Sequence, residues 1–196
     1  MWAEDRITEK IMEKALKTLQ ISVFTLSMLI LGACAIPNYL PLGDASEEHP
    51  LSSRESVTLH FFTNINNFNT GVALQAGSKY QFEITLLSHW QDGDISANEH
   101  DEPLNAYGFA NSVMPFEPIS LFKRSRHHNW FELMLMQPNC KRESLRGISD
   151  LNFDEASGSY NFVATCDGKL TLFVNDSYGF YGNNLGFASI SLSRVN

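Results

Sequence analysis

The sequence lacks the features that mark several common classes of protein. Three cysteines in 196 residues are too few for a disulfide-dense small protein or for a zinc site built from four thiolates. No run rich in lysine and arginine is present, and 22 acidic against 14 basic residues give a net charge of −8. A chain of this charge repels phosphate backbones, so we expect no nucleic-acid partner. The uncharged run at residues 21–33 is shorter than the roughly 20 residues that cross a bilayer.

That run has instead the length of the apolar region of a signal peptide. It ends in Leu31-Gly32-Ala33-Cys34, which resembles the lipobox of bacterial lipoproteins. The resemblance implies that Cys34 becomes the lipidated first residue of the mature protein. Ala35 after the cysteine, in place of aspartate, favours the outer membrane. The alternative is an uncleaved anchor helix with an incidental cysteine.

These features divide the chain into three parts and predict its location. Residues 1–33 are predicted to be a lipoprotein signal peptide, and residues 34–55, rich in proline, serine and acidic residues, a lipidated cysteine and flexible tether. Residues 56–196 remain as one globular domain. We therefore expect a protein of the bacterial cell envelope that is anchored to the membrane, and most simply to the outer membrane, through the lipid on Cys34.

Lipidation of Cys34 leaves two free cysteines, Cys140 and Cys166, in an oxidising compartment. We predict that they form a disulfide. Closing a loop of this length stabilises the fold by roughly 3 kcal/mol in the chain-entropy model. Two buried thiols are the alternative.

From residue 57 onward apolar residues recur with a period of two, which indicates strands with one face inward and the other toward solvent. Asp167-Gly168, between two such runs, is typical of a hairpin turn. The stretch from Asp92 to Pro118 has little pattern and is long enough to be a functional loop. We predict an all-β fold, an antiparallel β-sandwich or jelly roll. The alternating residues are Val57, Leu59 and Phe61; Tyr80, Phe82, Ile84 and Leu86; Phe131, Leu133 and Leu135; Tyr160, Phe162 and Ala164; Leu170, Leu172 and Val174; Ala188, Ile190 and Leu192.

The loop between the last two predicted strands contains the candidate metal-binding residues of the sequence. Asp176 supplies a carboxylate, Asn183 and Asn184 supply amide oxygens, and nearby glycines allow tight turns that direct backbone carbonyls inward. Calcium binds six to eight such hard oxygen ligands and accepts irregular geometry. Zinc would require histidine or thiolate ligands. The same residue types also suit an ordinary turn between two strands.

Residues 172–186 read Leu-x-Val-Asn-Asp-x-x-Gly-x-Tyr-Gly-Asn-Asn-x-Gly. This string resembles the C-terminal motif of the galactophilic, calcium-dependent soluble bacterial lectins, which are galactose-binding-like jelly rolls. The resemblance implies that Asp176, Asn183 and Asn184 bind Ca²⁺ through their side chains. It also implies a ligand from the backbone carbonyl of Phe180 and, from the loop after Trp90, one from that of Gly93.

The same resemblance implies a galactose-type glycan as partner, bound through Asp176, Asn183 and Asn184. The family's sugar-contacting loop reads His-Pro-Asp-Gln, whereas this chain has His100-Asp101-Glu102-Pro103. His100 is therefore the expected additional sugar contact, and the glutamine is absent. Aromatic side chains at Tyr178, Phe180 or Trp90 would either stack on a sugar ring or pack against the sandwich.

Other functions are less well supported by the sequence. The chain has no Gly-x-Ser-x-Gly, His-Glu-x-x-His or glycine-rich phosphate loop, so we expect no enzyme. An acidic loop would add calcium ligands or hold a carboxylate pair for glycoside hydrolysis. The alternative to a lectin is a structural or interaction lipoprotein of an envelope or secretion assembly, in which calcium, if bound, only stabilises loops. A homo-oligomer and a tethered monomer both remain open. The acidic loop contains Asp92, Asp94, Glu99, Asp101 and Glu102.

Overall fold

A computed structural model describes residues 48–196, which fold into strands joined by irregular loops and short 3-10 turns. The 3-10 turns are Asn111–Val113, Glu117–Phe122, Pro138–Ser144, Ile148–Asp150 and Tyr181–Asn183. The strands are β1 (His49–Pro50), β2 (Ser56–Phe62), β3 (Phe68–Leu74), β4 (Lys79–Leu86), β5 (Gln91–Asp92), β6 (Leu133–Met136), β7 (Arg146–Gly147), β8 (Asn152–Asp154), β9 (Ser159–Val163), β10 (Gly168–Val174), β11 (Asn184–Leu185) and β12 (Phe187–Arg194).

The strands form two five-stranded sheets and one short ladder. The first sheet has the order β1-β3-β10-β6-β7 and the second the order β2-β12-β4-β9-β8. Strands β5 and β11 pair only with each other. Every pair is antiparallel except β1 with β3. The predicted all-β sandwich is confirmed.

One hydrophobic core lies between the two sheets, and its aromatic members join the sheets to the site described below. The Phe61 ring of β2 meets Phe68 of β3 edge-on, with centroids 5.7 Å apart. Trp90, only 1% exposed, contacts both Phe61 and Phe131, at 6.1 and 6.0 Å between centroids. Large buried aromatic side chains contribute most of the apolar area removed from water.

The predicted alternation is confirmed on β12, where Ala188, Ile190 and Leu192 are fully buried and the residues between them are less buried. It is wrong on β6. Glu132 and Met134, expected to face solvent, are buried together with their neighbours. The turn at 148–150 covers this side of the strand, and Ser149 donates two hydrogen bonds to the Glu132 carboxylate. Tertiary contact therefore covers a face that the sequence pattern assigned to solvent.

The predicted hairpin at Asp167-Gly168 is also wrong. The turn is present, but β9 before it pairs with β4 and β8, whereas β10 after it pairs with β3 and β6. The chain thus crosses from one sheet to the other. The crossing is fastened by the predicted disulfide between Cys140 and Cys166, whose Cα atoms are 6.2 Å apart.

The last residues of the predicted tether are part of the domain. His49 and Pro50 pair with β3, and the Leu51 side chain is buried. The predicted signal peptide at 1–33 and Cys34 lie outside the described residues. Among residues 48–196, no helix is long and apolar enough to cross a membrane.

Candidate calcium site

Two loops that are far apart in the sequence meet at the ladder of β5 and β11. Asn184 pairs with Asp92, and Leu185 pairs with Gln91. The Gly93 amide, just beyond β5, donates to the carbonyl of Asn183 at 3.3 Å. The loop after Trp90 is therefore fixed directly against the Asp176 loop, and Gly93, which the resemblance implies as a ligand, lies beside Asn183.

Asp176 is the buried centre of this site, with 2% of its surface exposed. Asn184 Nδ2 donates to its Oδ2 at 3.0 Å, and the Ser177 amide donates to its Oδ1. Burial raises the pKa of the Asp176 carboxyl, and these two hydrogen bonds and the charge of Arg124 offset only part of that rise. A buried carboxylate of this kind is stabilised by a cation.

The 3-10 turn at 181–183 brings the remaining predicted ligands together. It begins after Phe180, whose carbonyl accepts a hydrogen bond from the Asn183 amide at 3.0 Å. The Asn183 side chain is exposed and extends across Gly93, where an added Cβ would lie 3.0 Å from Asn183 Nδ2. Gly93 has a φ of +56°, a conformation that also favours glycine.

The hydrogen bonding of the Asn184 side chain shows whether a cation fits in this site. The residue is 1% exposed, and its Nδ2 donates to Asp176 and to the carbonyl of Thr63. Its Oδ1 is buried and has no hydrogen-bond partner. In the described part of the chain the other such buried side-chain atoms are the indole nitrogens of Trp90 and Trp130, which are donors. An unpartnered buried acceptor beside a buried carboxylate is the arrangement that a hard cation satisfies.

Asp92 is a member of the site that sequence reasoning did not single out from the acidic loop. It is 7% exposed, and Asn183 Nδ2 lies 3.4 Å from its Oδ1. Burial, followed by the negative charge of Asp176, raises the pKa of Asp92 to about 7, although the contact with Asn183 acts in the opposite direction. The local sequence does not distinguish Asp92 from the exposed Asp94. Asp92 belongs to the site because it pairs with Asn184, which is far away in the sequence.

The donors of this site are oxygens of mixed type. Two carboxylates, two side-chain amides and the carbonyls of Phe180 and Gly93 are contributed by the two loops. Within residues 48–196, no three His, Cys, Asp or Glu side chains group as a metal site. The site has only two such residues, and amide and carbonyl oxygens would supply the rest. This chemistry suits Ca²⁺ and not Zn²⁺.

The aromatic residues around the site differ in exposure. Tyr178 and Phe180 are 57% and 54% exposed, whereas Trp90 is buried in the core and packs beneath Gly186. Trp90 therefore has no free face for a ligand. His100 is exposed, and its polar contacts are with Asn98 and Glu99 and not with the Asp176 site.

Asn175, which precedes Asp176, has a structural role. It is fully buried, and its side chain exchanges hydrogen bonds of 2.8 Å with the amide and carbonyl of Ser125 and donates to the carbonyl of Asn129. Next to it, the Arg124 guanidinium lies between the rings of Phe173 and Tyr178, at 3.3 and 4.4 Å from their centroids. Both interactions hold the loop at 123–131 against the Asp176 loop.

A serine and a histidine of the same loop form a hydrogen-bonded series with an aspartate of the turn at 148–150. Ser125 Oγ lies 2.6 Å from His128 Nδ1, and His128 Nε2 lies 2.7 Å from Asp150 Oδ2. These residue types occur in hydrolase triads. Here, however, the serine is buried and the aspartate is the most exposed member. We assign the series a structural role in joining the loop to the turn at 148–150.

Comparison with known proteins adds little to these observations. No protein-family model and no curated protein matches the chain. Among solved structures, one described as "EclA N-terminal domain; PllA-like lectin" is similar over 70% of this chain and 94% of that chain, with 19% sequence identity and a TM-score of 0.46. The function proposed below therefore depends on the residues of the site.

Proposed function

We propose that this chain is a calcium-dependent carbohydrate-binding protein. The observation that carries the proposal is the buried, unpartnered Oδ1 of Asn184 beside the buried carboxylate of Asp176. Leaving such groups uncompensated costs several kcal/mol. The motif at residues 172–186 and the position of Gly93 support the same ion and the same set of ligands.

Each residue has a distinct part in holding the ion. Asp176 supplies the negative charge, and its orientation is fixed by Asn184 and by the Ser177 amide. Asn184 supplies its free Oδ1, and the carbonyls of Phe180 and Gly93 supply neutral oxygens. When bound, calcium would offer open coordination positions to two adjacent sugar hydroxyls.

The exposed residues would then select the ligand. Asp176 and Asn184 are buried behind the surface, so their contribution to sugar binding is made from the inner side of the site. The exposed amide of Asn183 is available to a sugar hydroxyl, and the rings of Tyr178 and Phe180 are available to the apolar face of a sugar. We propose a galactose-type glycan on the basis of the motif, with His100 as a further sugar contact.

We also propose that the domain is attached to the bacterial envelope, in the outer membrane, by lipidation of Cys34. The proposal rests on the lipobox-like sequence that ends at Cys34. Mass spectrometry of the protein purified from a lipoprotein-processing bacterium would test it. A Cys34→Ser chain should keep residues 1–33 and lack the added lipid mass. If the parent and the Cys34→Ser chain are processed in the same way, the proposal is contradicted.

Calorimetric titration separates the proposed function from its alternative. The full chain, in detergent and stripped of metal, is titrated first with calcium and then with methyl galactoside and a panel of other neutral sugars. Binding of calcium and of a sugar only when calcium is present is the expected result. Binding of calcium without any sugar would favour the structural alternative, in which the ion stabilises loops of an envelope assembly. No calcium binding would reject the proposed function.

A further inference from the structure

Two carboxylates are buried in the proposed calcium site, whereas the sequence motif contains only one. Asp92 and Asp176 are 7% and 2% exposed. They come from loops about eighty residues apart, and each contacts one of the paired asparagines: Asp176 contacts Asn184, and Asp92 lies near Asn183. The second carboxylate belongs to the same site because of the fold and not because of the motif.

The strand pairing fixes the direction of the Asp92 side chain. Asp92 and Asn184 are directly opposite in the antiparallel ladder of β5 and β11. Opposite residues project from the same face with Cβ atoms about 5 Å apart. The Asn184 side chain reaches Asp176 on that face. Asp92 is therefore directed toward the same group of oxygens, which includes the unpartnered Oδ1 of Asn184.

The charge of Asp92 is not balanced by a basic side chain. Among residues 48–196, the ion pairs join His100 with Glu99, His128 with Asp150, and Lys169 with Glu48. Arg124 acts on Asp176, but its guanidinium is also engaged by the Tyr181 hydroxyl and by Asn67. Two neighbouring buried carboxylates repel each other, so the ionised pair requires a cation.

We propose that the Asp92 carboxylate is a direct calcium ligand, and that the site therefore holds its ion with two negative charges. This inference depends on the calcium site proposed above and adds a ligand to it. More charged ligands increase calcium affinity. The two carboxylates also balance the charge of Ca²⁺, so the face presented to the sugar has no net positive charge. The site therefore selects neutral sugars with adjacent hydroxyls over acidic sugars such as uronates.

Calcium titration of three single variants of the full chain in detergent tests the assignment. Asp92→Asn keeps the shape of the side chain and removes its charge. Asp94→Asn is the matched control, because Asp94 is exposed and lies two residues away. Asp176→Asn tests the site itself. We expect Asp92→Asn to weaken calcium binding by about 10–100-fold, Asp94→Asn to leave it unchanged, and Asp176→Asn to abolish it.

A second measurement excludes misfolding as the cause. In the presence of a chelator, Asp92→Asn should melt at the same temperature as the parent chain or higher, because the repulsion with Asp176 is removed. Calcium should then raise its melting temperature less than that of the parent. Equal calcium affinity for Asp92→Asn and the parent would overturn the Asp92 assignment and leave the site standing. Failure of the parent to bind calcium would instead reject the proposed function.

The sugar preference has its own test. The calcium-loaded parent chain is titrated with methyl galactoside and with galacturonate as its methyl glycoside, which differ only at C6, where a neutral hydroxymethyl group is replaced by a carboxylate. Tighter binding of methyl galactoside is expected. Equal or tighter binding of galacturonate would show that the face of the site is positive, and would overturn the charge balance that two carboxylates provide.

Discussion

Asp92 and Asn184 face each other across a ladder of only two residue pairs, separate from both large sheets. This single pairing connects the loop after Trp90 with the loop that follows β10. It brings Asp92, whose carboxylate lies near the Asn183 amide, to the same site as Asp176, whose carboxylate accepts a hydrogen bond from the Asn184 amide. The candidate site thus lies where two irregular loops are joined by a minimal element of regular structure.

Asp176 is expected to be indispensable for stabilisation by calcium. A ligand present at 100 times its dissociation constant stabilises the folded state by about 2.7 kcal/mol. We predict that calcium raises the melting temperature of the parent chain and leaves that of Asp176→Asn unchanged. Differential scanning fluorimetry with calcium and with chelator makes the comparison. If the variant responds to calcium like the parent, the ion binds elsewhere.

Asn175→Ala should destabilise the protein without any metal. The substitution leaves the buried amide and carbonyl of Ser125 and the carbonyl of Asn129 without their partner, at a cost of about 3 kcal/mol. Urea unfolding in chelator measures it. Asn183→Ala is the control, because Asn183 is exposed and its loss should cost less than about 0.5 kcal/mol. Equal costs for the two variants would contradict the structural role of Asn175.

The disulfide should stabilise the crossing between the two sheets. Cys140 and Cys166 are separated by 26 positions, and closing such a loop contributes roughly 3 kcal/mol. In the double variant Cys140→Ser with Cys166→Ser, the free energy of unfolding is expected to fall by that amount. Its urea midpoint should therefore be lower than that of the parent. The parent in reductant should behave like the variant. An unchanged midpoint in both samples would show that the crosslink does not constrain the unfolded chain.

Asp150 should contribute to stability at neutral pH and lose that contribution in acid. Burial acts to raise its pKa, but hydrogen bonds from His128 and the Gly147 amide, and the charges of His128 and Arg146, lower it overall. The folded state therefore binds fewer protons at Asp150 than the unfolded state does. The resulting stability is present above the ordinary pKa near 4 and is lost as pH falls through the lowered value.

Asp150→Asn tests this relation. Because the Asp150 side chain is 41% exposed, we expect the substitution to cost at most about 1 kcal/mol at neutral pH. The cost should disappear in acid, where the parent carboxyl is protonated. Urea midpoints of both proteins measured across this pH range provide the check. Parallel curves at every pH would show that His128 and Asp150 do not interact as described.

The sandwich was predictable where each strand has one covered and one open face. On β12 the period of two in Ala188, Ile190 and Leu192 matches the burial. At Glu132, just before β6, it failed, because this side chain is enclosed by the turn at 148–150 and accepts hydrogen bonds there from Ser149. A sequence pattern records the polarity of a side chain and does not record which later segment will cover it.

The candidate site also has a part that the sequence predicted and a part that it did not. Asp176, Asn183 and Asn184 lie within one loop, so the sequence alone shows their spacing. Asp92 is one of five acidic residues in the acidic loop, and only burial and pairing with Asn184 distinguish it. The predicted part of the site is thus local in sequence, and the missed part is long-range.

The sequence by itself determined the alternating strands β2, β4, β9, β10 and β12, and the group of oxygen donors after β10, since each depends on neighbours a few positions apart. It also marked the turn at Asp167-Gly168. The tertiary structure decided which strands pair across that turn, which faces are covered, and which of the acidic side chains is buried with Asp176. The physical reason is that burial and charge repulsion depend on distances in space, which the folded chain sets between residues far apart along it.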